Sequence, residues 1–275
     1  MKNKRGKTLL IGAVGVALLL WLAWGNYSLE VNEYTVSDSR IPPEFSGFRI
    51  AQVSDLHNAS LGKENARLLE ALRKVGPDII AVTGDLVDSR RPDLQTAADF
   101  IREAVKIAPV YYVSGNHEAR QDYAEIRAEI QEAGAVVLDN GKCTLQRNGH
   151  SVTLLGLADP LFSSEVTLKA ELSGLMEGET GYTVLLCHRP ELFGLYEEAG
   201  VCLTFTGHAH GGQVRVPFVG GVIAPNQGFF PEYDSGMYQS GNSVMLVSRG
   251  LGDSIIPLRI NNRRSILVAE LQYGT

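Results

Sequence analysis

Apolar positions recur along this chain in two rhythms. FRIAQVSD (Phe48 to Asp55), DIIAVTGD (Asp78 to Asp85), PVYYVSGN (Pro109 to Asn116), YTVLLCH (Tyr182 to His188), VCLTFTGH (Val201 to His208) and SILVAEL (Ser265 to Leu271) are short, nearly continuous apolar runs that predict buried strands. ENARLLEALRKVG (Glu64 to Gly76), Asp93 to Ala108, Tyr123 to Ala133 and Pro190 to Ala199 instead follow helical spacing. In the second of these, Ala97, Phe100, Ile101, Ala104 and Val105 make the apolar stripe, and Gly76-Pro77 stops the first. Between Val136 and Leu157, short alternating strands break at Asn140-Gly141 and Asn148-Gly149, two hairpin signals. Strands alternating with helices predict an α/β domain over 47–275, with two packed sheets and the helices outside, reached through a polar connector over 30–46.

The first residues follow neither rhythm. Lys2, Lys4, Arg5 and Lys7 precede Thr8 to Leu29, 22 residues without a charged side chain. At about 1.5 Å per residue this run crosses a hydrocarbon core of roughly 30 Å, so residues 1–29 read as a transmembrane anchor. The basic flank places the start in the cytoplasm and the domain outside, and Trp21, Trp24 and Tyr27 suit the outer interface. The alternative is export with cleavage near Ala23-Trp24-Gly25.

Composition narrows the partners. A net charge of -6 and pI near 5.6 lack the basic footprint of a nucleic-acid binder, so none is expected. Cys143, Cys187 and Cys202 form no CxxC pair and read as small strand residues; a Cys187 to Cys202 bridge stays open for an exported domain.

The chemistry lies where strands end. The five runs from Phe48 to His208 lead into Asp55-Leu-His57, Asp85-Leu-Val-Asp88, Asn116-His117-Glu118, His188 and His208-Ala-His210. Of six histidines, five stand at these ends. Because sites in open α/β sheets form at the carboxyl ends of strands, segments spread along the chain can converge. In each spaced pair, alternation along an extended segment puts both side chains on one side. Imidazole, carboxylate and carboxamide donors without thiolate suit Mn, Fe or Zn in open coordination. Asp55, His57, Asp85, Asn116, His188, His208 and His210 are too many ligands for one ion. They fit two divalent ions about 3.5 to 4 Å apart, holding a bridging hydroxide for in-line attack on a phosphoryl group. Glu118 reads as the cap of the helix that follows it.

These blocks, in this order, resemble the calcineurin-like metallophosphoesterases. The resemblance implies a four-layer α-β-β-α sandwich, two mixed sheets flanked by helices. It also implies that Asp55, His57 and His210 hold one metal, that Asn116, His188 and His208 hold the other, and that Asp85 bridges. His117 then matches the catalytic histidine and Asp88 the carboxylate paired with it. The anchor, with GHAHGGQVRVPFVGG, FFPEYDSGMY and SRGLGDSIIPLRINNR, is similar to the membrane-associated branch related to UDP-2,3-diacylglucosamine pyrophosphatases.

The expectation is a membrane-anchored phosphoesterase or diphosphatase with a lipid-linked substrate. A surface phosphatase or phosphodiesterase acting on soluble esters is the alternative, and a non-catalytic scaffold the third reading. Arg189, Arg215 and Arg249 are candidate phosphate contacts, since a guanidinium fork matches two phosphate oxygens. The apolar stretch from Val216 to Pro225, with Phe229-Phe230, is a candidate lip for a bilayer or an acyl chain.

Overall fold

The computed structural model describes residues 2–253 and 258–274, and in it the uncharged N-terminal run is helical as far as Tyr27, within α1 (Lys2–Tyr27), while Leu29 already opens the next strand. Its Leu9–Tyr27 portion is long and apolar enough to cross a membrane and is exposed along nearly its whole length. No part of the folded domain needs that apolar surface for its core.

Two six-stranded sheets follow. The first runs in the order β1 (Leu29–Asp38), the strand Arg264–Tyr273, β2 (Phe48–Val53), β3 (Ile79–Thr83), β4 (Val110–Val113) and β5 (Val136–Val137). Strands β2 to β5 are parallel, and Arg264–Tyr273 is antiparallel to β2 but parallel to β1. The second sheet runs β6 (Gly141–Arg147), β7 (His150–Gly156), β8 (Thr183–Leu186), β9 (Leu203–Thr206), Ser243–Val247 and Gly236–Ser240. Its central strands from β7 to Ser243–Val247 are parallel, with an antiparallel neighbour at each edge.

Alternation along the strands builds the layers. Ile50 and Ala81 face Val184, Leu186, Leu203 and Phe205 across the space between the sheets. Ala51, Val53, Ile80 and Val82 point outward onto α2 (Ala66–Val75), α3 (Leu94–Ala104) and α4 (Tyr123–Glu132). On the far side, Leu185 and Val247 meet α5 (Glu165–Met176) and α6 (Phe193–Glu198) through Leu168, Leu172, Phe193 and Tyr196. This is the expected four-layer α-β-β-α arrangement. Its helices are capped where polar residues precede them: Asp93 accepts the Thr96 N–H and Asp122 the Glu125 N–H.

Three elements differ from expectation. Part of the connector expected over 30–46 is β1, an edge strand whose polar residues on both faces disguise it. Asn140-Gly141 is not a hairpin: β5 and β6 lie in different sheets, and the turn carries the chain from one to the other. Helix α5 was not foreseen, because only Leu168 and Leu172 of its twelve residues are buried. Residues 254–257 of SRGLGDSIIPLRINNR lie outside the described residues.

Candidate metal centre

The loops leaving β2, β3, β4, β8 and β9 meet at one end of the sandwich. They bring Asp55, His57, Asp85, Asp88, Asn116, His188, His208 and His210 together, all buried, with His117 half-buried beside them. The spaced pairs are not extended, as the sequence suggested. Asp55 (φ 51°), His57 (φ 47°), Asp85 (φ 52°), His208 (φ 65°) and His210 (φ 49°) are all left-handed, a conformation uncommon outside glycine. Strands β2, β3 and β9 therefore turn sharply at their ends and throw these ligands inward; such strain collects at functional sites. Small neighbours make the turns possible. A Cβ at Gly115 would overlap the Asp85 carboxylate, and one at Gly207 would overlap the Ser54 hydroxyl and the Asp55 carboxylate.

Two donor groups result. In the first, His57 Nε2 faces His210 Nε2 at 3.2 Å, and Asp55 Oδ1 lies 3.4 Å from His210 Nε2. In the second, His188 Nε2 lies 3.2 Å from Asp85 Oδ2 and 3.2 Å from His208 Nδ1. Asp85 Oδ2 is also 3.6 Å from His57 Nε2, so one carboxylate oxygen stands between the groups. Donors around an ion at about 2.1 Å are separated by about 3.0 to 3.4 Å in octahedral or tetrahedral geometry, and these spacings match.

The polar chemistry also fits a cation. Asn116 Oδ1 is buried without a hydrogen-bond partner, between Gly115 and His117, whose N–H groups are both engaged. Burial pushes His57 down to about 4, and burial and neighbouring cationic groups hold His208 and His210 low, so three imidazoles are neutral. Burial also opposes charge on His188, but Asp85 and Asp55 outweigh it and raise its pKa to about 10. The carboxylates thus collect positive charge, as a proton on His188 in the metal-free chain. Burial raises Asp55 to about 6, whereas Asp85, despite its burial, is held low by His188.

Glu118 holds the loops in place and is not the expected helix cap. It is fully buried and accepts three backbone N–H groups: Asp85 (2.9 Å) and Gly115 (2.8 Å) on Oε2, and Val87 (3.0 Å) on Oε1. Asp85 is fixed from its other side, since its Oδ1 accepts the His117 N–H at 2.8 Å, and Asp55 accepts the His208 N–H at 3.0 Å.

His117 Nδ1 accepts the Ser89 N–H at 3.0 Å, which leaves the proton of the neutral ring on Nε2. Asp88 Oδ1 is 3.3 Å from Nδ1, but the Asp88 carboxylate is forked by Arg90 at 2.9 and 2.8 Å, which overcomes its burial and brings it down to about 2.

The three arginines part company. Arg189 is buried, forked on Asp159 at 2.6 and 3.0 Å, and its Nη1 lies 2.8 Å from His208 Nε2 and 3.0 Å from Asn226 Oδ1. Arg215 pairs with Asp234 at 3.0 Å and donates to Gly211 O, next to His210, at 3.0 Å, whereas Arg249 pairs with Glu30 at 2.6 Å. Asp159 and Asn226 carried no signal in the sequence, because each acts through Arg189 or His208, distant along the chain.

The sequence profile of the family described as calcineurin-like phosphoesterase matches residues 48–212. The metallophosphoesterase YkuE of Bacillus subtilis is 30% identical over 253 residues, covering 90% of this chain and 86% of the relative. The phosphodiesterase YaeI of Escherichia coli is 27% identical over 206 residues, covering 71% of this chain and 70% of YaeI. Among solved structures, TT1561 of Thermus thermophilus superposes with a TM-score of 0.52 at 13% identity, over 74% of this chain and 90% of its own.

Proposed function

Since this chain belongs to the calcineurin-like phosphoesterase family and is a metal-dependent phosphoester hydrolase, we propose that it holds two divalent ions and cleaves a phosphoester or diphosphate bond of an amphiphilic substrate at a membrane surface. Asp55, His57 and His210 hold one ion, Asn116, His188 and His208 the other, and Asp85 serves both. The observation that carries the assignment is the Asp85 Oδ2 atom between His188 Nε2 and His57 Nε2, at 3.2 and 3.6 Å.

Bound Mn, Fe or Zn supplies Lewis acidity toward the phosphoryl oxygens and acidifies water as the nucleophile. The protein supplies placement. Glu118 fixes the Asp85 and Asn116 loops, and Asp159 holds Arg189 against His208. The neutral His117 ring, its Nδ1 occupied by Ser89, presents an Nε2 proton to the leaving oxygen as charge builds there. Asp88, 3.3 Å away, favours charge on that ring.

Two features support an amphiphilic substrate. Helix α1 is a candidate membrane span, with the domain placed outside the cell by the basic flank. The two short hairpins after His210 expose Phe218, Val219, Ile223, Phe229 and Phe230, and their base is tied to the metal loop where Val222 N–H donates to Gly212 O. Residues 1–29 then form the anchor and 47–275 the catalytic domain, with the 30–46 segment between them contributing most of β1 (Leu29–Asp38) to the domain's first sheet. The test is turnover of bis-p-nitrophenyl phosphate, a mononucleotide and a glycolipid diphosphate by the purified protein. Turnover of the glycolipid above both soluble esters is expected; exclusive turnover of soluble monoesters rules the substrate assignment out.

A further inference from the structure

A cavity of about 150 Å³ lies where α1 meets the domain, far along the chain from most metal ligands and lined by none of them. Trp21 and Trp24 line it from α1, and Glu30, Arg249, Arg259 and Arg263 from the domain. Three guanidiniums face one carboxylate there. Glu30 takes a single nitrogen from each of two arginines, Arg249 Nη1 at 2.6 Å and Arg263 Nη1 at 3.0 Å, and the Arg263 guanidinium lies over the Trp24 ring at 4.5 Å.

Arg259 makes the imbalance acute. It is 1% exposed; its Nη1 and Nη2 donate to the carbonyls of Arg249 and Gly252, while its Nε has no hydrogen-bond acceptor among the described residues. The nearest carboxylate oxygen, Asp253 Oδ1, is 3.9 Å from Nε and already 3.0 Å from Arg264. Burial and the charge of Arg264 depress Arg259 to about 10. A buried cation with an unanswered N–H is costly unless an anion accompanies it.

The surroundings select the anion. Guanidinium forks match phosphate oxygens. Trp21 and Trp24 close the apolar part of α1, at the depth where such rings settle in a bilayer interface. Basic pockets beside membrane helices take anionic headgroups on the cytoplasmic side, and the same match of guanidinium to phosphate operates at the outer interface. We propose that this cavity binds the phosphodiester headgroup of an anionic phospholipid, with the acyl chains lying along the exposed face of α1. The inference rests on α1 being a membrane span, as proposed above. It concerns a site separate from the catalytic one.

The chain's two tryptophans, Trp21 and Trp24, both line the cavity, so its tryptophan emission reports on this place alone. The full chain is reconstituted in phosphatidylcholine vesicles containing a minor fraction of brominated phosphatidylglycerol or brominated phosphatidylcholine as quencher. Quenching by both shows insertion, and a roughly thirtyfold preference for the phosphatidylglycerol is expected from two net positive charges near the headgroup at about 1 kcal/mol each. Arg249→Gln combined with Arg263→Gln abolishes the preference, at a melting temperature that shows the variant folded. Glu30→Gln removes the one opposing charge and strengthens the preference, which misfolding cannot do. Equal quenching by the two lipids overturns the headgroup site while leaving the membrane span standing; no quenching by either overturns both. A saturable emission change with inorganic phosphate in detergent, without lipid preference in vesicles, assigns the cavity to free phosphate and overturns the lipid.

Discussion

Replacing Glu118 with glutamine keeps the shape of the side chain and removes one acceptor. The carboxylate receives the N–H groups of Asp85 and Gly115 on Oε2 and that of Val87 on Oε1. A glutamine carbonyl in the Oε2 position keeps the first two as neutral bonds, and its amide nitrogen then opposes the Val87 N–H, donor against donor. Hydrogen bonds to charged acceptors contribute about 1.5–3 kcal/mol each and neutral ones about 1, so weakening two and breaking one costs roughly 3–5 kcal/mol. Part of this is offset. Burial and Asp85 push the Glu118 carboxyl up to about 7, so its charge is itself unfavourable there, and the neutral amide escapes that penalty. The net expectation is a loss of about 2–3 kcal/mol, a sizeable fraction of the 5–15 kcal/mol typical of a domain. Metal affinity should fall with it by about 10–100-fold, as for other residues that orient ligands. Urea unfolding of the manganese-loaded protein, with elemental analysis after gel filtration, measures both. A variant with the wild-type midpoint and full metal content refutes the role given to Glu118.

His117→Ala should retain both ions by elemental analysis yet lose about 10²–10⁴-fold in turnover of bis-p-nitrophenyl phosphate, the range for a general acid or base. Asp85→Ala should lose metal, because its oxygen serves both donor groups; full occupancy in that variant contradicts the shared role. The chelated protein should lose stability on acidification between pH 6.5 and about 4. His57 has its folded-state pKa lowered from 6.5 to about 4, and His208 and His210 are lowered too, so the unfolded chain binds more protons in that window. Asp55 and Glu118, raised to about 6 and 7, and Asp139 and Glu191, also raised by burial, act the other way over part of the window, whereas His57, His208 and His210 act across all of it and the lowered His117 adds to them. Urea midpoints for the chelated protein at both ends of the window check the sign, and a midpoint that rises on acidification contradicts it.

The donor set was legible because histidine is scarce in this chain and its strands end in turns. Five of six histidines at strand ends need no coordinates to be noticed. How those ends reach one another was not legible. The spacing of Asp55 and His57 suits an extended segment as well as the left-handed turn that forms, and the turn is set by tertiary packing, with Gly207, Gly250 and Gly252 pressed against Ser54, Asp55 and Leu56. Glu118 was misread for a similar reason: a carboxylate before a helix commonly caps it, whereas this one bonds to backbone more than thirty residues earlier. Helix α5 and strand β1 escaped notice because each buries one side lightly and leaves no clear period.

Helix α1 is bound to the domain by a chain of hydrogen bonds through Arg259. The Asn26 side chain near the end of α1 donates to Arg259 O at 2.9 Å and accepts the Arg259 N–H at 2.7 Å, which fixes that backbone against the helix. The Arg259 side chain then runs inward to the carbonyls of Arg249 and Gly252. Those two residues flank a loop that packs on the first ligand strand, where Leu251 N–H and Gly252 N–H donate to Asp55 O at 3.3 and 2.6 Å. A Cβ at Gly250 would press on the Asp55 side chain at 2.8 Å. One buried arginine therefore joins α1 to the loop that shapes the Asp55 side of the metal centre. Under the headgroup proposal, the lipid that neutralises Arg259 acts on the same residue that supports this loop, which couples that site to the metal geometry through one structural element.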